Sequence, residues 1–410
     1  MSLSQLIPAA ETEAKRTALI LAAAQAIVGS APSIAISMGG LAGHYLLGLD
    51  KSLATAPVTG FALGTALGML PAAALMRRIG RRYGFMAGAG VTSLGGIVAA
   101  LALFRGDFWL FVAGLLVIGL GSAFVQQYRF AATDNAPSSF KPKAVSWVLT
   151  GGVFAAIIGP TAVIYTRTLF EPVMFAGSFL AVGVIGVLGI GILSLLRLQS
   201  HVATAADDDD LPARPLGAII SQPRFFVALF CAIVSYALMS FVMTGAPLAM
   251  VGCGFSADEA TLGIQWHVLA MFGPSFFTGR LISRFGKEAI VAAGLLLLLA
   301  CAGVALAGIE LWNFWLALIL LGVGWNFGFI GATTMVTETY RRSEKGKIEG
   351  LHDFLLFGTV AIASLMSGKM LTAFGWDVLN WIVIPVSAAC LLALAALGLH
   401  ERRRVSLPAQ

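Results

Sequence analysis

The chain has 410 residues, 58% of them hydrophobic and only 11% charged, with a mean hydropathy of +0.89; these values exclude an ordinary soluble globular protein and make lipid its natural solvent. Its net charge of +6 follows the loops and forms no contiguous basic patch, which removes nucleic acid as a partner. The four cysteines, Cys231, Cys253, Cys301 and Cys390, show no CxxC or regular spacing, so a disulfide framework is excluded as well.

The chain begins with a polar segment, MSLSQLIPAAETEAKR, followed by an apolar run too long for a signal-peptide core, so the first helix is expected to be retained. In chain order, stretches long enough to cross a bilayer core of about 30 Å fall at 17–43, 52–76, 84–104, 108–133, 144–166, 173–196, 225–250, 259–281, 288–308, 311–337, 349–372 and 378–399. All are predicted to be helices, because lipid offers backbone groups no other hydrogen-bond partner. With both termini in the cytoplasm, the tails and even-numbered loops hold 21 of the 26 Lys and Arg residues, the bias expected of cytoplasmic loops. Only Lys51, Arg105 and Arg167 fall outside, with Arg129 and Lys369 inside helices.

The longest polar stretch, RLQSHVATAADDDDLPARPLGAIISQPR, separates the sixth and seventh spans. It divides the chain into an N-terminal six-helix bundle (1–198), a cytoplasmic linker (199–223) and a C-terminal six-helix bundle (224–410). The Asp207 to Asp210 run in it reads as solvated linker or, at best, a weak site for divalent cations.

The two halves repeat. RRIGRRYG (77–84) after the second span matches GRLISRFGKE (279–288) after the eighth, with Gly80 and Gly286 206 residues apart. TDNAPSSFKPK (133–143) and TETYRRSEKGK (337–347) set Asp134, Lys141 and Lys143 204 residues before Glu338, Lys345 and Lys347. Repeats of this length in a polytopic chain point to a transporter with two pseudo-symmetric bundles and a substrate site between them.

On these motifs the chain resembles the major facilitator superfamily over essentially its whole length. The family's loop motif, G-x-x-x-D-R-x-G-R/K-R/K, is met at Gly279, Arg284, Gly286 and Lys287, with Ser283 in place of Asp. In the first copy it is met at Arg78, Gly80, Arg81 and Arg82, with Ala73 and Arg77 for the Gly and Asp. GGVFAAIIGP (151–160) is similar to the family's fifth-helix glycine-proline motif and is equally compatible with close packing through small residues. The resemblance implies an all-α membrane protein of 12 transmembrane helices in the major facilitator fold, a monomer with no enzymatic activity.

In the seventh span, MSFVMTG places Met239 and Met243 four apart; in the eighth, QWHVLAM places His267 and Met271 four apart. Residues four apart share a helix face. Counted from a turn near Phe255, Met243 and His267 lie at one depth and Met239 and Met271 at another, so the antiparallel helices can stack two layers. Three thioethers and an imidazole are a soft ligand set suited to Cu(I). Packing is the competing reading, since methionine fills irregular cores and Met366 with Met370 shows the same spacing without a partner. These motifs also resemble those of the CcoA-type bacterial copper importers, a branch whose wider membership includes riboflavin carriers. The resemblance implies Met239, Met243, His267 and Met271 as copper ligands, copper as transported substrate with no permanently bound cofactor, and supply to cytochrome oxidase assembly. It also implies a multi-pass protein of the bacterial inner membrane.

Coupling groups are sought among intramembrane ionisable residues: Arg129, Asp134, Glu338 and Asp353, beside His352, as a proton route or as a static gate. Cys231 and Cys253 are candidates for an auxiliary metal path or simple packing, and Met38, His44 and Met69 for a contribution from the first bundle. Asp258 and Glu259 either attract cations or cap the eighth span. Two alternatives to copper import remain on the sequence: proton-coupled transport of an organic solute such as riboflavin, with Trp266, Trp325, Asn326 and Phe327 lining an aromatic cavity, and a copper sensor that does not transport.

Overall fold

The structure is a computed structural model describing residues 3–134, 136, 137, 140–197 and 213–406. The first half forms α1 (Leu3–Ile27), α2 (Ser30–Leu46), α3 (Ala56–Ile79), α4 (Arg81–Arg105), α5 (Phe108–Val125), α6 (Tyr128–Asp134), α7 (Lys141–Thr166) and α8 (Ala176–Ser194). The second half forms α9 (Leu216–Ile220), α10 (Pro223–Gly252), α11 (Ala257–Phe272), α12 (Ser275–Phe285), α13 (Lys287–Leu306), α14 (Leu311–Thr337) and α15 (Lys345–Ser406). The stretch Asp207 to Asp210 and most of the expected linker lie outside the described residues.

Among the described residues, ten helical segments are long and apolar enough to cross a membrane. Two further crossings complete the twelve expected. The long α15 is two spans merged across Gly375, whose φ of 82° breaks the helix. The eighth span is divided into α11 and α12 at Gly273–Pro274, where proline supplies no N–H to the helix ladder. The first and fourth spans are likewise divided, into α1/α2 and α5/α6. Polar residues set several of the starts: Asp107 accepts from the Leu110 N–H at 3.0 Å at the head of α5, and Ser256 with Glu259 forms a capping box on α11.

The internal repeat is visible in the backbone. Gly80 has φ 82° and ψ 157°, and Gly286 has φ 87° and ψ 158°, a conformation essentially restricted to glycine. Each glycine turns the chain sharply from one span into the next. The neighbouring charges repeat too: Arg81 Nε lies 2.7 Å from Asp134, and Lys287, at the corresponding position of the second half, pairs with Glu338. These contacts supply the loop ties that the missing motif aspartates at Arg77 and Ser283 do not. In GGVFAAIIGP, a Cβ on Gly151 would meet the Ala22 carbonyl at 2.2 Å and one on Gly159 the Ser30 carbonyl at 2.8 Å. That motif packs α7 directly on α1 and α2.

The basic loops gather at one end of the bundles, called here the basic end. At the opposite, far end the two halves are joined: Arg167, closing α7, pairs with Asp258 of α11 at 2.7 Å. The ion pairs at the basic end hold each half to itself, as in Arg81–Asp134 and the Arg224 contacts with Glu288, Glu338 and Glu401.

Candidate functional site

Between the halves, three helices of the second bundle converge on Tyr236 of α10. Its ring meets Trp325 and Phe329 of α14 edge-on at 5.3 and 5.2 Å and Phe357 of α15 at 5.9 Å. Trp325 and Phe329, one turn apart, are stacked at 5.3 Å and 14°. Ring pairs in these geometries prefer each other to aliphatic packing. Tyr236 also packs against Ala62 of α3 and Val360 and Ala361 of α15, so the cluster lies on the bundle interface.

The same place brings charges together. Arg129 of α6 acts electrostatically on Tyr236 and on Asp353 of α15 from across the interface. Asp353 Oδ1 lies 3.0 Å from Nδ1 of buried His352, whose ring is 6.4 Å from that of Phe329. Arg129 is exposed, and the Asp353 side chain is 43% exposed, although both belong to membrane-spanning helices that face one another. Charges from both bundles thus lie within electrostatic reach of the aromatic cluster, and the far end is closed between the halves. Trp325 Nε1 and His352 Nε2 are buried without a hydrogen-bond partner among the described residues. Such orphaned donors or acceptors are costly, and their position at the bundle interface suits a polar ligand.

The four charged candidates thus separate. Arg129 and Asp353 meet at the interface, whereas Asp134 and Glu338 are held in ion pairs within their own bundles at the basic end. Lys287 and Arg224 hold the Glu338 carboxyl below the ordinary carboxylate range. At the far end Asp258 is engaged by Arg167 and Glu259 by Ser256, so both have structural partners.

Met239, Met243 and Met271 are buried in the apolar core of the second bundle with His267. His267 points its Nδ1 at the Leu318 carbonyl of α14, 2.8 Å away, and its Nε2 has no partner among the described residues. A Cβ on Gly322 of α14 would meet the His267 carbonyl at 2.5 Å, so this stretch of α11 is seated on α14. Cys231 lies within hydrogen-bond reach of Cys390 inside the core, while Cys253 is exposed at the other end of α10, about 33 Å away along the helix. Of the aromatic-cavity set, Trp325 joins the Tyr236 cluster and Trp266 is exposed. Asn326 is locked onto the α11/α12 break, donating to the Met271 carbonyl and Ser275 Oγ, both at 2.7 Å, and accepting from Thr278 Oγ1 at 2.6 Å. Tyr236, Phe329 and Phe357 were not among the residues singled out from the sequence. The one sequence signal for them is the four-residue spacing of Trp325 and Phe329.

Two helical bundles with polar and aromatic residues gathered at their interface are the architecture of a secondary transporter. The Major Facilitator Superfamily model matches residues 17–356 and 275–409, and the chain belongs to that superfamily. It is 51% identical over 383 residues to the riboflavin transporter RfnT of Brucella anthropi, covering 93% of this chain and 96% of that one. It is 29% identical to the uncharacterized MFS-type transporter YddS of Bacillus subtilis, over 89% and 87% of the two chains. The lysosomal dipeptide transporter MFSD1 of Homo sapiens is 24% identical, over 80% and 73%. Among solved structures, the xylose transporter XylE from E. coli in a partially occluded inward-open conformation superposes with a TM-score of 0.69 at 12% identity, covering 93% of this chain and 97% of that one; this likeness concerns the fold.

The expectation of copper import is corrected by these comparisons, and with it copper as substrate and partner, the supply to cytochrome oxidase assembly and the copper sensor. A relative matching nearly the full length at 51% identity is a riboflavin transporter. The physical reason for the error is that a four-residue Met/His spacing is equally the signature of a packed helix face, and these side chains are core residues.

Proposed function

We propose that the protein carries riboflavin across the membrane by alternating access, holding the flavin ring system at the Tyr236 cluster. The observation that supports this most is the pairing of stacked aromatic rings with an acid–base pair at one point of the bundle interface. The isoalloxazine of riboflavin is flat and aromatic, and one edge carries two carbonyls flanking an N–H. Tyr236, Trp325 and Phe329 offer faces and edges for the ring; Arg129 donates to the carbonyls and Asp353 accepts from the N–H, with the unpartnered Trp325 and His352 nitrogens as further contacts. The similarity to a riboflavin transporter points to the same substrate.

In this reading the basic end faces the cytoplasm of a bacterial cell, in keeping with the loop charges, and the moving units are the bundles 1–198 and 224–410, joined by the linker 199–223. The test is uptake of radiolabelled riboflavin by a bacterial strain that can neither make nor import it. The wild-type chain restores uptake, and Tyr236→Ala and Trp325→Ala lower it at least about tenfold at equal membrane abundance. No uptake by an abundant, correctly inserted wild-type chain overturns the proposal.

A further inference from the structure

A row of hydroxyls runs outward from the aromatic cluster along α3, α10 and α15, three of the helices beside it. On α3 the residues beyond Ala62 are Thr59 and Thr55; on α15 Ser364 follows Val360; on α10 Thr244 lies eight residues beyond Tyr236, a rise of about 12 Å. Oγ1 of Thr59 and of Thr244 each lie 3.4 Å from Ser364 Oγ, so the row crosses from one bundle to the other. Ser364 and Thr55 are fully buried and Thr244 nearly so.

Two of these hydroxyls, Thr244 and Ser364, differ from most others in the membrane-spanning helices, whereas Thr59 also bonds the Thr55 carbonyl at 3.2 Å. Thr65, Thr92 and Thr334, for example, each satisfy their O–H on the carbonyl one turn earlier in their own helix, at 2.7 to 3.1 Å. Thr244 and Ser364 make no such bond among the described residues. Their contacts are at the limit of hydrogen-bonding distance. Thr55 Oγ1 is buried with no partner, pressed against α15 where a Cβ on Gly368 would meet it at 2.3 Å. A buried hydroxyl left with unspent bonding capacity is costly unless some state of the protein uses it.

We propose that Thr55, Thr59, Thr244 and Ser364 form the subsite for the polyhydroxylated side chain of the substrate. The inference rests on the flavin reading of the Tyr236 cluster and adds what selects a flavin with a sugar-like chain over the bare ring. When the bundles part at the far end the seam splits, Thr55 and Thr59 moving with α3 and Thr244 and Ser364 with α10 and α15. Each side then presents hydroxyls that both donate and accept, the complement of a chain of neighbouring alcohols. A ring seated on Tyr236 with its chain directed to the far end sets that chain along the row. As the far end closes again, the hydroxyls return to one another, so little bonding is lost when the substrate leaves.

The test compares riboflavin with lumiflavin, which has the same ring bearing a methyl group in place of the chain, by quenching of flavin fluorescence on the full-length protein in lipid nanodiscs. Wild type is expected to bind riboflavin about tenfold more tightly, the effect of one or two net hydrogen bonds. Thr244→Val with Ser364→Ala should erase that preference while lumiflavin binding persists, which also reports that the variant is folded. Thr244→Ser, which keeps the hydroxyl, should retain the preference. An unchanged riboflavin-to-lumiflavin ratio in the double variant, or equal binding of the two flavins by wild type, overturns the subsite and leaves the ring site standing. Failure of wild type to bind either flavin overturns both.

Discussion

Arg167 grips Asp258 by two points, Nε to Oδ1 at 2.7 Å and a terminal nitrogen to Oδ2 at 3.0 Å, and in doing so ties the end of α7 to the start of α11 across the two halves. Arg167 was one of only three basic residues expected at the far end, and Asp258 one of the acids expected to attract cations or to cap. Their pairing closes that end. Both side chains are partly exposed, at 19% and 38%, so the pair contributes about 1 kcal/mol at most. That is still enough to move a two-state equilibrium about fivefold. Arg167→Ala is expected to raise the population open at the far end by that factor, read as a longer distance between spin labels on the loops after α2 and α10. The charge-exchanged pair Arg167→Asp with Asp258→Arg should restore the closed distance. An identical distance distribution in all three proteins would show that the seal does not depend on this pair.

Arg129 and Asp353 compensate each other at the bundle interface without closing into a direct ion pair among the described contacts. Removing one leaves the other charge in a membrane-spanning helix without that compensation, which is destabilising. Arg129→Gln alone and Asp353→Asn alone should each lower the thermal midpoint of the purified protein. The double neutral variant should recover much of that loss and still fail to transport riboflavin. Recovery of transport along with stability would mean that the pair balances charge and takes no part in recognition.

What the sequence made legible was whatever depends on one helix at a time or on strict repetition. The spans follow from apolar length, and Gly80 and Gly286 stand out because two halves of one plan need the same turn. The binding cavity was less legible, for a geometric reason. Counting outward from Phe255 fixes the depth of Met243 and His267, but depth does not fix the direction in which a helix is rotated. His267 matches Met243 in sequence distance and yet spends its Nδ1 on Leu318 of α14. Tyr236 lies seven residues before Met243, on much the same face of α10, and what distinguishes it is a neighbour from each of α14 and α15. Those neighbours are 93 and 121 positions away in the chain. Arg129 was visible as an intramembrane charge, but its choice of Asp353 over Asp134 is a fact of how the bundles meet.

The paired turns at Gly80 and Gly286 yield a prediction of equal effects at symmetric sites. At φ 82° and 87° with ψ near 157° and 158°, a side chain is strained by about 1–3 kcal/mol. Gly80→Ala and Gly286→Ala should each lower the thermal midpoint by several degrees, and the two losses should add, because the sites lie in different halves and share no partner. Markedly less than additive loss would indicate that the turns are coupled through the bundle interface.

Glu344 supplies the pH dependence. It is almost fully buried, accepts from Arg214 at 2.8 Å and from the backbone N–H groups of Arg214 and Arg341 at 2.7 and 2.8 Å, and so fastens the segment before α10 to the turn before α15. The Arg214 guanidinium and these N–H groups hold its carboxyl far below the ordinary carboxylate range. A carboxyl whose folded value is depressed stabilises the protein fully above its unfolded pKa, about 4.3, and that contribution fades as pH falls toward the folded value. Glu344→Gln should therefore be less stable than wild type at pH 7. The gap should narrow as pH drops below about 4, because protonation takes from the wild type what the substitution has already removed. Thermal midpoints of both proteins between pH 7 and pH 3 test this: a gap that stays constant would assign the stabilisation to packing of the side chain, and one that widens would contradict the depressed value.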